Sequence, residues 1–171
     1  MGEASTAPGM PDELLIFEQA GQLFALPSSV VKEVLRAFSA TPLPNAPPMV
    51  EGILNLRGDI IPLINLRRRM GLPERPLSLT DHFIVARDGN RLLALRVDRV
   101  LNLQRVPQRR HLDPGRFSSG SEVISSVAAT PEGMVLIHDL GRFLSQAEGA
   151  SLDSAIDAAA AQNKTFREPQ S

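Results

Sequence analysis

The three histidines, His82, His111 and His138, are the first candidates for metal binding or acid–base chemistry in this sequence. They lie far apart along the chain, without the HxH or HExxH spacing that places two ligands on one face of an element. A zinc site would need all three to converge, so surface positions for His82 and His111 and a partly buried position for His138 are the simpler prediction. The chain contains no GxSxG, P-loop or GxGxxG pattern and no cysteine. The sequence therefore predicts no catalytic residue, no metal ligand and no cofactor, and indicates binding rather than catalysis.

Arg57 is the strongest candidate for a binding residue, because it lies between the apolar runs 53–56 and 60–64. Gly58 and Asp59 follow it, and both residue types are common where a chain reverses tightly. An arginine projected from a rigid hairpin can bind a partner carboxylate through its planar guanidinium group. The alternative is an ordinary solvated turn residue, and the residue pattern alone favours that alternative.

The second apolar run continues into signals for a short helix. Pro62 lacks an N–H group, which predicts an edge strand, a bulge or a nitrogen that faces away from the neighbouring strand. Asn65 is expected to cap a helix that ends at Gly71. Elsewhere, hairpins are predicted around Gly21, Gly89 and Gly133, and Ser28 or Ser29 is expected to cap one helical turn that passes into a strand near 33.

Three further features are expected in the second half of the chain. Residues 107–120 are polar and predict a loop, and Asp139 is expected to cap a short helix. Asp98 is expected to pair with Arg96 or Arg99 on a salt-bridged surface.

Composition excludes several classes of function. The chain has 171 residues, 43% of them hydrophobic and 22% charged, with a formal net charge of −1. This balance provides no general attraction to nucleic acid or to an anionic membrane. No apolar run approaches the roughly 20 residues of a membrane helix, and residues 1–12 lack the pattern of a signal peptide. We therefore predict a cytoplasmic protein with no direct membrane insertion and no nucleic-acid partner.

A weak internal repeat predicts the architecture. GQLFALPSSVVKEVL resembles GNRLLALRVDRVL, and VEGILNLRGDIIPLINL resembles VISSVAATPEGMVLIHDL. Each half reads as hairpin, strand, hairpin and short helix. The expected fold is mainly β: two pseudo-symmetric five-stranded SH3-like barrels packed together, with short helices and a C-terminal helix. An apolar groove is expected where the barrels meet.

The hairpin VEGILNLRGDIIPLINLRRRMGL resembles the central motif of CheW-type chemotaxis coupling proteins. Gly52, Asn55, Leu56, Arg57, Gly58, Pro62 and Leu66 all match positions of that motif. The segments LLIFEQAGQLFALP, VVKEVL and LLALRVDRVLNLQRV match as well, so the resemblance extends over about 14–144. It implies a non-catalytic adaptor that couples the cytoplasmic tip of methyl-accepting chemoreceptors to the regulatory domain of a CheA-type histidine kinase in a membrane-associated array.

The resemblance also implies site residues. Arg57, Val31, Glu33 and Val34 match a receptor-binding face, and Glu51, Asp59 and Ile60 are weaker candidates for kinase binding. Structural roles are the alternative for each, and Val31 and Val34 fit a core position equally well. Gly52, Gly58 and Pro62 are expected to shape the fold rather than to contact partners.

The expected domain organisation is a flexible tail over 1–12, a CheW-like domain over 13–149 and a helical or disordered tail over 150–171. Leu152 and Ile156 form a sparse apolar stripe that predicts a weakly docked helix, and 163–171 is expected to be disordered. Within the domain, lobe one is expected over about 23–80 and lobe two over about 82–140, with strands exchanged near the termini. Departures from the family pattern, such as the acidic Glu51, leave open an alternative chemosensory pathway that controls surface growth, pili or cyclic-dinucleotide synthesis. A free-standing barrel that binds a small ligand or nucleic acid is the alternative function.

Overall fold

The structure is a computed structural model that describes residues 13–107, 111–112 and 124–167. The predicted tail over 1–12, most of the predicted loop after Pro107 and the last four residues lie outside this range. The strands are β1 Glu13–Gln19, β2 Gln22–Pro27, β3 Val31–Arg36, β4 Val50–Leu56, β5 Asp59–Asn65, β6 His82–Asp88, β7 Arg91–Val97, β8 Arg99–Arg105, β9 His111–Leu112, β10 Ile124–Thr130 and β11 Gly133–His138. The α-helices are α1 Leu66–Met70 and α2 Gln146–Arg167, and 3₁₀ turns occur at Ser28–Val30 and Leu140–Arg142.

The strands form two sheets with matching order. One sheet is β3-β6-β7-β5-β4, and the other is β8-β1-β2-β11-β10 with the two-residue strand β9 added at its edge. In each sheet two hairpins pair with each other through parallel strands, β5 with β7 and β11 with β2. The mainly β fold and its two pseudo-symmetric halves are therefore confirmed.

The two halves of the chain exchange their hairpins. The β6–β7 hairpin lies in the sheet of β3, β4 and β5, and the β1–β2 hairpin lies in the sheet of β8, β10 and β11. The expected division into lobes at about residue 81 therefore does not match the sheets. Exchange occurs because β3 leaves β2 to pair with β6, and β8 leaves β7 to pair with β1.

Three apolar clusters hold the fold together. One lies within the β3–β7 sheet and includes Leu54 and Phe83, and a second lies within the other sheet and includes Ile16 and Ile137. The third joins residues of both sheets with residues of α2. The junction between the sheets, expected to form an apolar groove, is thus packed with buried side chains, and hydrophobic burial is the main force that joins the halves.

The β3–β7 sheet closes on itself at Gly52. Thr41, just beyond β3, exchanges two backbone hydrogen bonds of 2.9 and 2.8 Å with Ile53 of β4, which joins the two edges of the sheet. A Cβ atom at Gly52 would lie 2.4 Å from the carbonyl oxygen of Thr41. Gly52 therefore shapes the fold, as predicted, because only glycine permits this approach.

The segment from Pro62 to Gly71 contains the predicted capped helix, and of the alternatives for Pro62 only the edge strand is excluded. Asn65 caps α1 by accepting a 3.2 Å hydrogen bond from the Arg68 N–H group, and Gly71 ends the helix with φ of +69°. Strand β5 is not an edge, since it lies between β4 and β7. Pro62 is accommodated because pairing with β7 begins at Leu63, one residue later.

The two 3₁₀ turns differ in how well the sequence predicted their caps. Asp139 caps the second 3₁₀ turn, as predicted, by accepting a 3.0 Å hydrogen bond from the Gly141 N–H group. The first 3₁₀ turn has Pro27 at its N-cap and no side-chain cap, so Ser28 and Ser29 do not cap it. The hydroxyl of Ser28 instead donates to Glu13 at 2.8 Å, which occupies the group that would cap the turn.

Helix α2 is longer and better anchored than the sequence suggested. Ser145 and Glu148 form a capping box, in which each side chain accepts a hydrogen bond from the other residue's backbone N–H. Leu152 and Ala155 are buried in the cluster between the sheets. The helix begins four residues before the expected start at 150, and its backbone continues to Arg167, through part of the segment expected to be disordered.

Candidate functional site

Arg57 occupies the tip of the β4–β5 hairpin. Arg57 and Gly58 form a two-residue turn with φ of +52° and +92°, a conformation that glycine adopts readily and arginine rarely. The side-chain oxygen of Asn55 accepts a 3.1 Å hydrogen bond from the Gly58 N–H group and steadies the turn. The hairpin thus holds the Arg57 backbone in one conformation at an exposed tip.

The guanidinium group of Arg57 forms an ion pair with Glu33 across the closed edge of the barrel. The Nη2–Oε1 distance is 2.6 Å, and the side chains are 74% and 25% exposed, respectively. A guanidinium group has five N–H donors, and this pair uses one nitrogen. Arg57 therefore retains donors that face solvent and can bind a second carboxylate, and the structure brings together two of the four predicted receptor residues.

The other two predicted receptor residues lie on the same strand as Glu33. Val31 is half-buried and packs against the cluster between the sheets, whereas Val34 is 38% exposed. Strand β3 is an edge of the sheet and pairs only with β6 among the described strands. Val31 therefore has a packing role. Val34 follows Glu33 but projects to the opposite side of the strand, so it offers an exposed apolar contact at the edge of the sheet.

The three predicted kinase residues separate in the structure. Asp59 and Ile60 are exposed at the start of β5, directly after the Arg57 turn. Ile60 has 45% of its surface exposed, a large fraction for an isoleucine. Glu51 points elsewhere: its carboxylate accepts hydrogen bonds of 2.6 Å from Asn65 and 2.5 Å from Arg96, in a part-buried position. Glu51 therefore acts within the fold, and it does not share a surface with Asp59 and Ile60.

Glu51 belongs to a chain of charged side chains that the sequence did not reveal. Arg96 binds Glu51 and Asp81, and Arg75 binds Asp81 and Asp98. Asp81 is fully buried. The hydrogen bond to Asp81 raises the pKa of Arg75 although burial opposes the shift. Buried charges are tolerated when they are paired in this way.

Asp98 connects this chain of charges to the β1–β2 hairpin. It accepts hydrogen bonds of 2.8 Å from the Ala20 N–H group and from Arg67, and one of 2.7 Å from Arg75. Burial by itself would raise the pKa of Asp98, but these three donors outweigh it and lower the pKa below the ordinary value. The sequence pattern suggested Arg96 or Arg99 as partners, yet Arg96 binds Asp81 and Arg99 binds Glu18.

The environment of the histidines differs from the expectation. His138 is fully buried, with its ring 4.9 Å from Phe24, 5.2 Å from Phe143 and 6.0 Å from Phe17. His82 is half-buried at the start of β6, and the side chain of His111 is outside the described residues. Within the described part of the chain, no group of three or more metal-binding side chains converges, and no helix is long and apolar enough to cross a membrane.

An open groove beside Ile60 was not predicted. It has a volume of about 490 Å³ and lies between β5, the β6–β7 turn and α2. Ile60 and Pro62 line one side, and Leu92 and Ile156 line the rest of its apolar surface. The Ser145–Glu148 capping box followed by Leu152, Ala155 and Ile156 is the sequence signal that could have indicated a docked α2.

Comparison with known proteins identifies the family. A sequence model of the CheW-like domain matches residues 13–148. The chain belongs to the CheW-like family. This CheW-like protein is 30% identical over 142 residues to the chemotaxis protein CheW of Treponema pallidum (strain Nichols), a match that covers 80% of this chain and 84% of the relative. It is 31% identical over 112 residues to protein FrzA of Myxococcus xanthus, covering 65% of this chain and 70% of the relative.

A solved structure supports the same assignment. The scaffolding protein TtCheW from Thermoanaerobacter tengcongensis superposes with a TM-score of 0.75 at 28% sequence identity, covering 81% of this chain and 96% of that chain. The resemblance seen in the hairpin motif is therefore confirmed over most of the CheW-like protein. The match supports a chemotaxis coupling adaptor, which is a scaffold role rather than an enzymatic one.

Proposed function

We propose that this CheW-like protein is a non-catalytic adaptor that couples methyl-accepting chemoreceptors to a CheA-type histidine kinase in a cytoplasmic array at the membrane. The family match over residues 13–148 carries the proposal. The exposed hairpin tip supports it, since a closed barrel presents a charged and apolar surface without any catalytic constellation among the described residues. Adaptors need such rigid surfaces more than they need chemistry.

The receptor would bind at the sheet edge where Arg57 and Glu33 pair and Val34 is exposed on the other side of β3; this edge is the proposed receptor face. A receptor tip is helical, and a helix docks through apolar anchors while a few charges set its register. Val34 supplies an exposed apolar contact, and the free donors of Arg57 supply a site for a carboxylate of the helix. Val31 would support this face from beneath.

The kinase regulatory domain would bind at the adjacent start of β5, where Asp59 and Ile60 are exposed. Ile60 provides an apolar anchor, because a partner that covers its exposed side chain removes apolar surface from water. The two proposed faces share the β4–β5 hairpin, so one protein can bind both partners side by side.

Binding measurements with Arg57→Glu test the receptor face. The partners are a receptor cytoplasmic fragment and a CheA-type regulatory domain from the same genome, and the readout is the dissociation constant by calorimetry. We expect receptor binding to weaken at least about tenfold, because the variant places a carboxylate beside Glu33 and repels the receptor carboxylate. Kinase binding should change little.

Arg99→Glu is the matched control. Arg99 pairs with Glu18 at 3.1 Å and is 60% exposed, so the charge change and the lost ion pair are alike, but the site lies on the other sheet. An equal loss of receptor affinity in Arg57→Glu and Arg99→Glu would reject the proposed receptor face. Failure of the folded wild type to bind any kinase or receptor of its genome would reject the adaptor function. The kinase that does bind identifies the pathway as flagellar or alternative.

The small-ligand or nucleic-acid alternative has less support. Nine arginines of the described residues are already paired with carboxylates, namely Arg57, Arg67, Arg68, Arg69, Arg75, Arg91, Arg96, Arg99 and Arg142. Phosphate contacts need free cations and produce a steep salt dependence. Binding of nucleic acid with such a slope would favour this alternative over the adaptor.

A further inference from the structure

We propose that α2 forms one wall of the kinase-binding groove beside Ile60, and that this groove takes an apolar side chain flanked by a lysine or arginine. The inference rests on the proposed function, because it names the kinase regulatory domain as the partner. It adds a helix outside the hairpin motif to the binding surface, and it specifies the chemistry of the segment that binds there.

The apolar part of the groove lining comes from three elements. Ile60 and Pro62 belong to β5, Leu92 to β7 and Ile156 to α2. A volume of about 490 Å³ is large enough for side chains of a partner. Burial of an exposed isoleucine and its neighbours by an apolar side chain would be favourable, since these surfaces are otherwise in contact with water.

The rim of the groove has a net negative charge. Asp88, Arg91 and Asp153 line it. Arg91 is neutralised, because its Nη2 atom lies 2.7 and 2.8 Å from the two carboxylate oxygens of Asp153. Asp88 is exposed and remains as an acidic group without an ion pair in the described part of the chain. A basic side chain next to the apolar anchor would complement it.

The α2 wall is preorganised. Leu152 and Ala155 are buried beneath it, Glu148 binds Arg69 at 2.7 Å, and Asp153 binds Arg91 on the opposite side of the groove. Ile156 follows Ala155 directly and packs partly against the same cluster. A partner therefore meets a wall that is already ordered, and binding does not carry the entropy cost of ordering the helix.

The test measures binding of the full-length protein to the regulatory domain of a CheA-type kinase. Ile156→Ala and Asp88→Lys are each expected to weaken binding about tenfold. The matched controls are Met134→Ala and Glu132→Lys, which make the same types of change at exposed positions on or beside β11, outside the groove. Both controls should bind as the wild type does, and circular dichroism should show that all four variants are folded.

Salt provides the second readout. If Asp88 receives a basic side chain, the affinity of the wild type falls with added sodium chloride, and Asp88→Lys flattens this dependence. Kinase binding by the wild type that Ile156→Ala and Asp88→Lys leave intact would overturn the role of α2 while preserving the proposed function. Absence of kinase binding by the folded wild type would overturn both.

Discussion

Closure of the β3–β7 sheet depends on a single residue, Gly52. Its missing Cβ allows Thr41 to approach β4 and close the sheet, and that closure places Glu33 within reach of Arg57. Gly52 therefore influences the geometry of the proposed receptor face without contacting it. Its contribution is geometric, since no other residue type can occupy the position without moving the backbone.

Gly52→Ala should destabilise the protein by roughly 1–3 kcal/mol, the usual range for an added methyl group in a packed site. The clash involves a backbone carbonyl oxygen, which cannot rotate away as a side chain can. Urea denaturation, monitored by circular dichroism, measures the change in the free energy of unfolding. Gly149→Ala is the control, because a methyl group there would have its nearest neighbour 3.8 Å away and alanine favours a helix. Equal stability of the two variants would contradict the close approach.

At the scale of elements, α2 behaves as part of the folded domain. Its capping box fixes the first turn, and Leu152 and Ala155 insert between the sheets. The helix thus connects the proposed kinase groove to the central core. Loss of its packing should affect both stability and binding.

Leu152→Ala should lower the free energy of unfolding by about 2–5 kcal/mol, since it leaves a cavity in a fully buried site. Thermal unfolding would report the change as a lower Tm. Ser154→Ala, at an exposed position of the same helix, should remain within about 0.5 kcal/mol of the wild type. A Leu152→Ala protein as stable as wild type would mean that α2 is not docked in solution.

Local signals in the sequence predicted many of these elements. The Arg57-Gly58 turn, the Asn65 cap and the Asp139 cap depend on neighbouring residues, so they could be identified from short segments. The sheet partners could not, because the pairing of β3 with β6 depends on residues about fifty positions apart. The Glu51–Arg96 pair spans 45 positions and was unpredictable for the same reason. In α2 the apolar stripe is sparse, so the sequence predicted weak docking, although Leu152 and Ala155 are buried between the sheets.

At the scale of the whole molecule, Asp98 joins the two sheets electrostatically. It contacts the β1–β2 turn through Ala20 and the segment after β5 through Arg67 and Arg75. Its pKa is lowered in the folded state. Burial by itself would raise the pKa of Glu148, but the hydrogen bond from the Ser145 N–H group and the ion pair with Arg69 outweigh burial and lower this pKa as well. Charges at these positions therefore favour the folded protein.

The stability that these carboxylates contribute should be fully present above their ordinary pKa values and should decline as pH falls below about 4, through the lower folded values. The unfolded chain binds protons first in this range, which pulls the equilibrium toward unfolding. Denaturation midpoints between pH 7 and pH 2 measure the effect. Asp98→Asn should reduce the decline of the denaturation midpoint at low pH, and Glu132→Gln, in an exposed turn, should not. A decline in Asp98→Asn equal to that of the wild type would show that the ion pairs do not form in solution.

The exchange of hairpins between the sheets has a consequence for synthesis on the ribosome. The first sheet lacks its two central strands until β7 emerges, and the second remains incomplete until β11 emerges. The β1–β2 hairpin is therefore synthesised long before its partner strands β8 and β11, and its apolar face stays uncovered while most of the chain is translated. Neither half can be released as an independent folded unit, so a premature stop anywhere before β11 yields a product for chaperones and proteases rather than a smaller working adaptor.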